Sequence, residues 1–387
     1  MIYLDNAATT MHKPAQVRRA VSEALHRGGN AGRGGHSGEA YSDRVLFECR
    51  GEIAALFGLA EPERVVFTMN ATHALNIAIN SLVRPGMRVL ISGYEHNAVR
   101  RPLLAKERAG EIEIVVLRSP LFEPEVFLYK LEAELRRGAG LVVMTHVSNV
   151  FGYILPVERA DELCAEHGVP LIVDASQSAG VLELNAAALR ATRYLCMPGH
   201  KGLYGPQGTG ALVCVGDRYE EEPPEPLMFG GTGGDSRAEG MPDYLPERVE
   251  AGTQNVHGIA GLREGVRFVR RTGTARILAH EREMARRIIS GLALYPRVRV
   301  FAAPGLFCQT GVLSLVVRGV SCERTAELLA AEGIAVRAGQ HCAPLAHDSA
   351  GTGREGSVRL SPSVFTKPSE ADAAVRALAR IAQREPL

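Results

Sequence analysis

An α/β protein with a mostly parallel sheet, followed by a smaller α+β unit, is what this sequence predicts. Two observations carry the prediction. Between about residues 64 and 215, short runs that are apolar at nearly every position alternate with stretches of helical period, the pattern of strands buried on both faces with helices between them. Past residue 252 the order changes to two long helices, then short strands with single helices among them. The 387 residues suffice for two or three domains at roughly 150 residues each. A chain of this length buries a large core without disulfide or metal staples.

Residues 64–67, 88–92, 112–117, 141–144, 170–174, 194–197 and 211–215 read as the buried strands. Between them, 71–83 is a helix with Ala74, Leu75, Ala78, Ile79 and Leu82 on one face, and 97–109 carries arginine and lysine on its outer side. Residues 124–137 form another helix, and 156–167 starts with proline in its first turn and stops at Gly168. Residues 217–252 break the rhythm, with five of the 21 prolines within 223–246 and the cluster Gly230-Gly-Thr-Gly-Gly234, and read as a long ordered loop or lid. Helices at 258–271 and 275–294 follow, then strands at 298–301, 311–317, 334–336 and 357–360, with helices at 322–331 and 369–383. Sheets of the first kind bind ligands at the carboxyl ends of their strands, so the polar residues just after each strand are the candidates for function.

Composition narrows the classes. Forty-four basic against 43 acidic side chains argue against a nucleic-acid binder. No apolar run approaches the ~18 residues of a membrane span, and the opening residues lack a basic-then-apolar signal pattern, so a cytoplasmic location with reduced thiols is expected. Seven cysteines lie scattered at 49, 164, 196, 214, 308, 322 and 342 without any C-x-x-C. Neither a zinc site nor a dithiol pair is advertised, and no metal is expected.

Four stretches carry chemistry. Met197-Pro-Gly-His-Lys-Gly-Leu-Tyr-Gly-Pro-Gln-Gly-Thr-Gly210 puts Lys201 directly after a strand, beside His200, in a glycine-rich turn with few charges nearby in sequence. A desolvated lysine loses part of its preference for the charged form, as a Schiff-base amine requires. Asp174 ends an apolar strand 27 residues earlier, where it suits either the partner of a pyridinium nitrogen or a helix N-cap. Thr68-Met-Asn-Ala-Thr-His-Ala-Leu-Asn76 is a small, polar strand-to-helix junction, a form that binds phosphate. Gly93-Tyr-Glu-His96-Asn follows a strand, and His96 reads as a structural histidine or as an aromatic plate over a planar ring.

In this order, and together with Tyr3-Leu-Asp-Asn-Ala-Ala-Thr-Thr10, Gly34-Gly-His36, His146-Val-Ser-Asn-Val-Phe-Gly152, Glu250-Ala-Gly-Thr-Gln-Asn-Val256, Arg337-Ala-Gly-Gln-His-Cys-Ala343 and Val358-Arg-Leu-Ser361, the chain resembles the class V aminotransferase group of fold-type I pyridoxal-phosphate enzymes, and within it the cysteine desulfurases. The resemblance spans essentially the whole chain. It implies a large cofactor-binding domain at 15–255 built on a mostly parallel seven-stranded sheet, and a small domain of 1–14 and 256–387 that carries a catalytic cysteine loop. It implies pyridoxal 5′-phosphate as cofactor, with Lys201 as its Schiff-base lysine, Asp174 at the pyridine nitrogen, Gln177 at the ring hydroxyl and His96 stacked on the ring. Ala71, Thr72 and His200 would hold the phosphate, with Thr253 reaching the phosphate of the other subunit of a homodimer. Asn149 and Arg359 would bind the substrate carboxylate, Arg359 through a two-pronged bond that lysine cannot copy.

Cys342 differs from the packing cysteines Cys164, Cys196 and Cys214. It lies in a glycine-containing loop with His341 beside it, Arg337 close in sequence and no apolar period, and cationic neighbours favour a thiolate. The short Arg-x-Gly-x-His-Cys-Ala form resembles the group II, SufS-like branch. The implied reaction converts L-cysteine to alanine and leaves a persulfide on Cys342 for an acceptor protein or thiol. L-selenocysteine as substrate, a selenocysteine lyase, another C–S lyase or an aminotransferase of the family are the alternatives. Pro198, His73, Gln340 and the extra Gly202 depart from the family pattern.

Overall fold

The protein is described from a computed structural model, in residues 1–32, 34–216, 219, 222–233 and 237–384. Seven strands, β2 (Val65–Thr68), β3 (Met87–Ser92), β4 (Ile112–Leu117), β5 (Leu141–Thr145), β6 (Leu171–Asp174), β7 (Thr192–Pro198) and β8 (Gly210–Cys214), form one sheet in the order β2-β8-β7-β6-β5-β3-β4. β3 to β7 pair in parallel, whereas β8 is antiparallel to both β7 and β2. The reversal has a local cause: the turn 199–209 holds no helix, and a parallel crossover needs one or a comparable length of chain.

Alternate residues of these strands enter two separate cores. Leu90, Val142, Met144, Val173 and Leu195 face one layer, and Val89, Ile91, Val143, Ile172 and Cys196 face the other. This double burial is why the strands read as unbroken apolar runs. Helices Ala71–Leu82 and Asn97–Arg108 cover the second face, while Ser37–Leu56, Pro124–Arg136, Val157–Glu166 and Val256–Thr272 cover the first.

A second sheet is antiparallel, in the order β12-β13-β10-β9, from β9 (Val298–Phe301), β10 (Leu313–Val317), β12 (Arg337–Gly339) and β13 (Ser357–Leu360). Its back face, with Val298, Leu313, Leu315, Val358 and Leu360, packs on helices Thr274–Leu292, Cys322–Ala331 and Pro368–Arg384. Its front face turns toward the large sheet. The strand expected at 334–336 is divided at Val336: β11 (Ile334–Ala335) pairs in parallel with the N-terminal β1 (Ile2–Tyr3), and β12 joins the four-stranded sheet. Pro156 is the N-cap of its helix instead of a residue in its first turn. Within 217–252, the described residues form irregular loop up to a short turn at Glu247–Val249, and Gly234 of the glycine cluster lies outside the described residues.

The N-terminal segment joins the two sheets. Asp5 bridges Ser361, and Asn6 Nδ2 donates to the Ser361 carbonyl at 2.9 Å. Gln177 Nε2 donates to the Ala7 carbonyl at 2.9 Å, and the Thr10 amide donates to the His200 carbonyl at 3.0 Å.

Behind β2 lies a buried ion pair. Arg50 Nη1 and Nη2 meet Glu250 Oε1 and Oε2 at 2.6 Å each. Arg50 Nη1 also donates to the Val65 carbonyl, its guanidinium lies 4.3 Å from the centre of the Phe67 ring, and Glu250 accepts the Phe67 amide. The pair fastens the 250–254 turn to the sheet edge. Removing one partner strands a buried charge, so Glu250→Ala should destabilise the fold by about 3–5 kcal/mol in a denaturant titration, with Arg50→Ala adding much less to it than it costs alone. Fully additive losses would exclude this coupling.

Candidate active site

The parallel strands end on one side of the large sheet, and polar residues gather there. β6 ends at Asp174 and β7 at Pro198, so the turn Gly199-His-Lys201 lies beside Asp174. Asp174 is buried, and its Oδ1 accepts the Ser176 amide at 2.9 Å. It caps a turn and not a helix, which leaves its second oxygen for the cavity. Lys201 Nζ makes no hydrogen bond to any described residue. Burial pushes its amine down to about 8, Asp174 and Asp5 oppose that, and Arg359 and Arg337 add to it. The scarcity of charge around Lys201 in the sequence therefore does not survive folding: four charged groups converge on it in space.

His96 ends the loop after β3 and caps helix Asn97–Arg108, its Nδ1 accepting the Ala98 amide at 3.1 Å. Burial pushes the imidazole down to about 4, with Asp174 opposing, so it is a neutral plate. Behind it Glu95 is fully buried. Its Oε1 accepts the Thr145 amide at 2.8 Å and bonds Ser92, while Oε2 has no partner, and burial with the nearby Asp174 raises the carboxyl to about 8. Sequence reasoning missed Glu95; a charged residue three positions past an apolar strand was the available signal.

Across the cavity, helix Ala71–Leu82 begins. Asn70 accepts the His73 amide at 2.9 Å, which leaves the amides of Ala71 and Thr72 without an acceptor among the described residues. His200 Nδ1, buried and unpartnered, lies on the same cavity, and burial with Lys201 and Lys13 nearby brings its ring down to about 4.

The fourth side is the loop after β12. His341 and Cys342 both take left-handed backbone conformations, with φ 49° and 57°. The Cys342 carbonyl accepts the Asn97 amide at 2.8 Å, tying this loop to the helix that His96 caps. Of the seven cysteines Cys342 alone is exposed. His341 corrects the sequence reading. Its Nε2 donates to the Ser357 carbonyl at 3.1 Å, and burial with the Arg359 charge drives its ring far below the usual range, so it is neutral and supplies no cation to the thiol.

Asn149 Nδ2 donates to the His341 carbonyl at 2.8 Å, and its own carbonyl accepts Arg359 Nη1 at 2.9 Å. Arg359 Nη2 meets Asp5 Oδ1 at 2.7 Å, while its buried Nε is left without a partner. Two of the three guanidinium nitrogens are thus held by the protein and one is free.

A cavity of about 240 Å³ connects these groups. Lys201, Cys342, His96, Asp174, Gln177, Ala71, Thr72, His200, Asn149 and Arg359 all line it, together with Asn70, Ser176 and Arg337, which the sequence reading left out. Thr253 does not. It is exposed and lines a separate hollow with Arg50 and Glu250. The set suits a flat ring that carries a basic nitrogen, an aldehyde and a phosphate. It offers a buried amine whose hold on its proton is weakened by burial, a carboxylate 2% exposed, a neutral aromatic plate, and open helix amides beside an unpartnered histidine nitrogen.

Comparison with known proteins agrees. The model of the family "Aminotransferase class-V" matches residues 2–373. Proteins named "Probable cysteine desulfurase" include one from Mycolicibacterium paratuberculosis, 32% identical over 99% of this chain and 56% of its own length. Another, from Methanothermobacter thermautotrophicus, is 32% identical over 91% of this chain and 89% of its own. This chain thus spans little more than half of the first relative. Among solved structures, a cysteine desulfurase from Thermococcus onnurineus superposes with a TM-score of 0.90 at 30% identity, covering 99% of this chain and 94% of that one. The cysteine desulfurase CsdA of Escherichia coli gives 0.85 at 26%, covering 98% and 94%. The chain belongs to the class-V aminotransferase family, whose cysteine desulfurase members use pyridoxal 5′-phosphate.

Proposed function

We propose that this protein is a cysteine desulfurase that converts L-cysteine to L-alanine and carries the sulfur as a persulfide on Cys342. The observation that carries the reading is one exposed thiol, Cys342, opening onto the cavity that holds the Lys201 amine and the Asp174 carboxylate. Bound pyridoxal 5′-phosphate would supply an electron sink for the substrate α-carbon.

The chain's own residues do the rest. Lys201 anchors the cofactor and carries protons to and from the substrate, a task suited to an amine that titrates near 8. Asp174 would hold a proton at the ring nitrogen, Gln177 would reach the ring hydroxyl, and His96 would stack on the ring. The open amides of Ala71 and Thr72, with His200, take the phosphate. Arg359 offers its free Nε, and Asn149 its side-chain oxygen, to the substrate. The Cys342 thiolate attacks the substrate sulfur: the C–S bond breaks, an S–S bond forms, and alanine leaves with the proton delivered by Lys201.

Thr253, exposed and apart from the cavity, supports a homodimer in which it serves the partner's phosphate. The division into 15–255 and 1–14 with 256–387 is part of the same reading, supported by β2–β8 falling in the first and β9–β13 in the second. No described helix is long and apolar enough to cross a membrane, and a thiolate renewed each cycle asks for a reducing compartment such as the cytoplasm.

Purified with cofactor, the protein should be yellow and should make alanine from L-cysteine in the presence of dithiothreitol. Cys342→Ser should keep the colour and lose at least about a hundredfold in that activity, while Lys201→Ala should lose the covalent, borohydride-trapped chromophore. Full activity in Cys342→Ser would refute the persulfide role.

Capture of added pyridoxal phosphate by the cofactor-free protein needs neutral Lys201, so its rate should rise with pH through about 8 and not near 10.4. Asp174→Asn removes a charge that raises that midpoint and should lower it, whereas Arg359→Gln should raise it, both followed by absorbance. Arg359→Lys keeps the charge but cannot hold Asn149 and Asp5 while still offering a third donor as Nε does, and should raise KM for L-cysteine about tenfold or more with a smaller change in kcat.

A further inference from the structure

The front face of the four-stranded sheet extends well past the active site. Side chains alternate along a strand, so Arg337 and Gly339 of β12, Ser357 and Arg359 of β13, Ser314 and Val316 of β10, and Phe301 and Arg299 of β9 share it. The register sets them in two rows. Arg337, Arg359, Ser314 and Phe301 stand opposite one another in turn. In the second row Gly339 faces Ser357, and Val316 faces Arg299. The first row begins in the catalytic cavity. The second begins where the chain enters the Cys342 loop and ends on the outer strand.

Over that outer end opens a groove of about 880 Å³, far larger than the catalytic cavity. Its charged lining is Arg297, Arg299, Arg318 and Arg354 against Glu323 and Glu355, a surplus of two positive charges in a chain whose whole formal charge is +1. Arg297 is structural, bonding the Arg318 carbonyl at 2.8 Å and the Ala382 carbonyl at 2.9 Å. The other three are exposed. Arg299 lies 4.6 Å from the centre of the Phe301 ring, and the Arg318 and Arg354 guanidinium groups have no partner among the described residues. The groove's near wall is the 351–356 loop. Gln340, two residues before Cys342, donates from Nε2 to the Gly353 carbonyl at 2.8 Å, and Cys322 Sγ donates to the Glu355 carbonyl at 2.9 Å. One sheet face and one loop therefore join the groove to the cysteine.

We propose that this groove docks an acidic segment of the protein that accepts the sulfur, set four or five residues from that protein's acceptor cysteine. The proposal rests on the desulfurase reading above. Its spacing comes from the sheet: three strand separations of about 4.8 Å put β9 about 14 Å from β12, and four or five extended residues at about 3.3 Å each cover that span. Free guanidinium groups on a concave wall select carboxylates and steer them in. In the transfer the acceptor's thiolate attacks the outer sulfur of the Cys342 persulfide. An S–S bond to the acceptor forms, the S–S bond to Cys342 breaks, and Cys342 leaves as the thiolate and takes up the proton that the acceptor thiol gave up. Nothing is consumed besides the persulfide and the thiol.

The test uses the cofactor-loaded full chain with L-cysteine and three synthetic thiol peptides. One has a cysteine, a four-residue Gly/Ser spacer and four glutamates; one replaces the glutamates with glutamines; one places the glutamates directly beside the cysteine. Persulfide formation on each peptide is read by mass spectrometry. The spaced acidic peptide should react about tenfold faster than either control at about 0.1 M salt, and the advantage should vanish near 1 M, where the screening length falls from about 10 to about 3 Å. The triple variant R299E/R318E/R354E should lose the advantage while dithiothreitol-driven alanine formation stays at the wild-type rate, which also reports that it folds. Equal rates for the glutamate and glutamine peptides, with dithiothreitol-driven activity intact, would overturn the docking proposal and leave the desulfurase reading standing. Absence of alanine in every arm would overturn both.

Discussion

Keeping the Lys201 amine out of water is the constraint on which the rest of the site depends. Burial brings it to about 8 only if the turns around it close tightly, and glycine is what lets them close. A Cβ at Gly202 would come within 2.4 Å of the Ala179 carbonyl oxygen, and one at Gly180 within 2.2 Å of the Gly202 oxygen. Gly180 also takes φ +84°, which other residues rarely adopt. The backbone after Asp174 is thus pressed against the backbone after Lys201. Gly202, a departure from the family pattern, has its physical reason in this contact.

Withdrawing a cation from water demands balance. Asp174 and Asp5 favour the charged amine, and Arg359 and Arg337 oppose it. Asp5 enters this balance from the far N-terminus because β1 pairs with β11 and the following residues bond Ser361 and His200. Its pairing with Arg359 keeps a 2% exposed guanidinium from being stranded without a counterion, a situation far costlier than the pair itself is stabilising. The N-terminal segment, short of regular structure, is therefore a structural part of the site.

Much of this was legible in the sequence where one local pattern decides the outcome. Strands β3, β5, β6 and β7 carry apolar runs with no polar alternation at their centres because both faces are covered, and such runs stand out. Helix Ser37–Leu56 did not, because its buried face includes Glu39, Ser42 and Arg50, whose burial depends on partners as remote as Glu250. Lys201, Asp174, His96 and Cys342 were each found beside a strand or in a distinctive loop, and Arg359, inside a strand, only through the family resemblance. Asp5, Arg337 and Glu95 were not given a place in the site, because what puts them there is tertiary: an ion pair 354 residues apart in sequence, a β-register, and a carboxylate sealed under Thr145. His341 shows the opposite error. Adjacency to Cys342 suggested a cation, yet its left-handed backbone sends the ring to the Ser357 carbonyl and into a neutral, buried state.

That last point changes how the thiol must be understood. Six cysteines lie in the interior, where burial raises the thiol and makes it inert; for Cys308 and Cys322, the less deeply buried of them, the thiol is still raised to about 11. Cys342 is set apart by its position at the surface. Two left-handed residues turn the chain outward at the end of β12, and the Asn97 amide fixes the turn through the Cys342 carbonyl. Asn149 and Gln340 hold the residues just before it. The backbone is anchored on three sides while the side chain is left free, the arrangement a sulfur carrier needs if it is to face the cavity and then an acceptor outside it. The guanidinium groups of Arg337 and Arg359, along the front row of the small sheet, line the same cavity, while the neighbouring histidine is neutral. One strip of sheet thus lines the cavity beside Lys201 and Cys342 and leads on to the groove over the outer strand, which is how the proposed substrate carboxylate site, the proposed sulfur carrier and the proposed acceptor surface come to share one element.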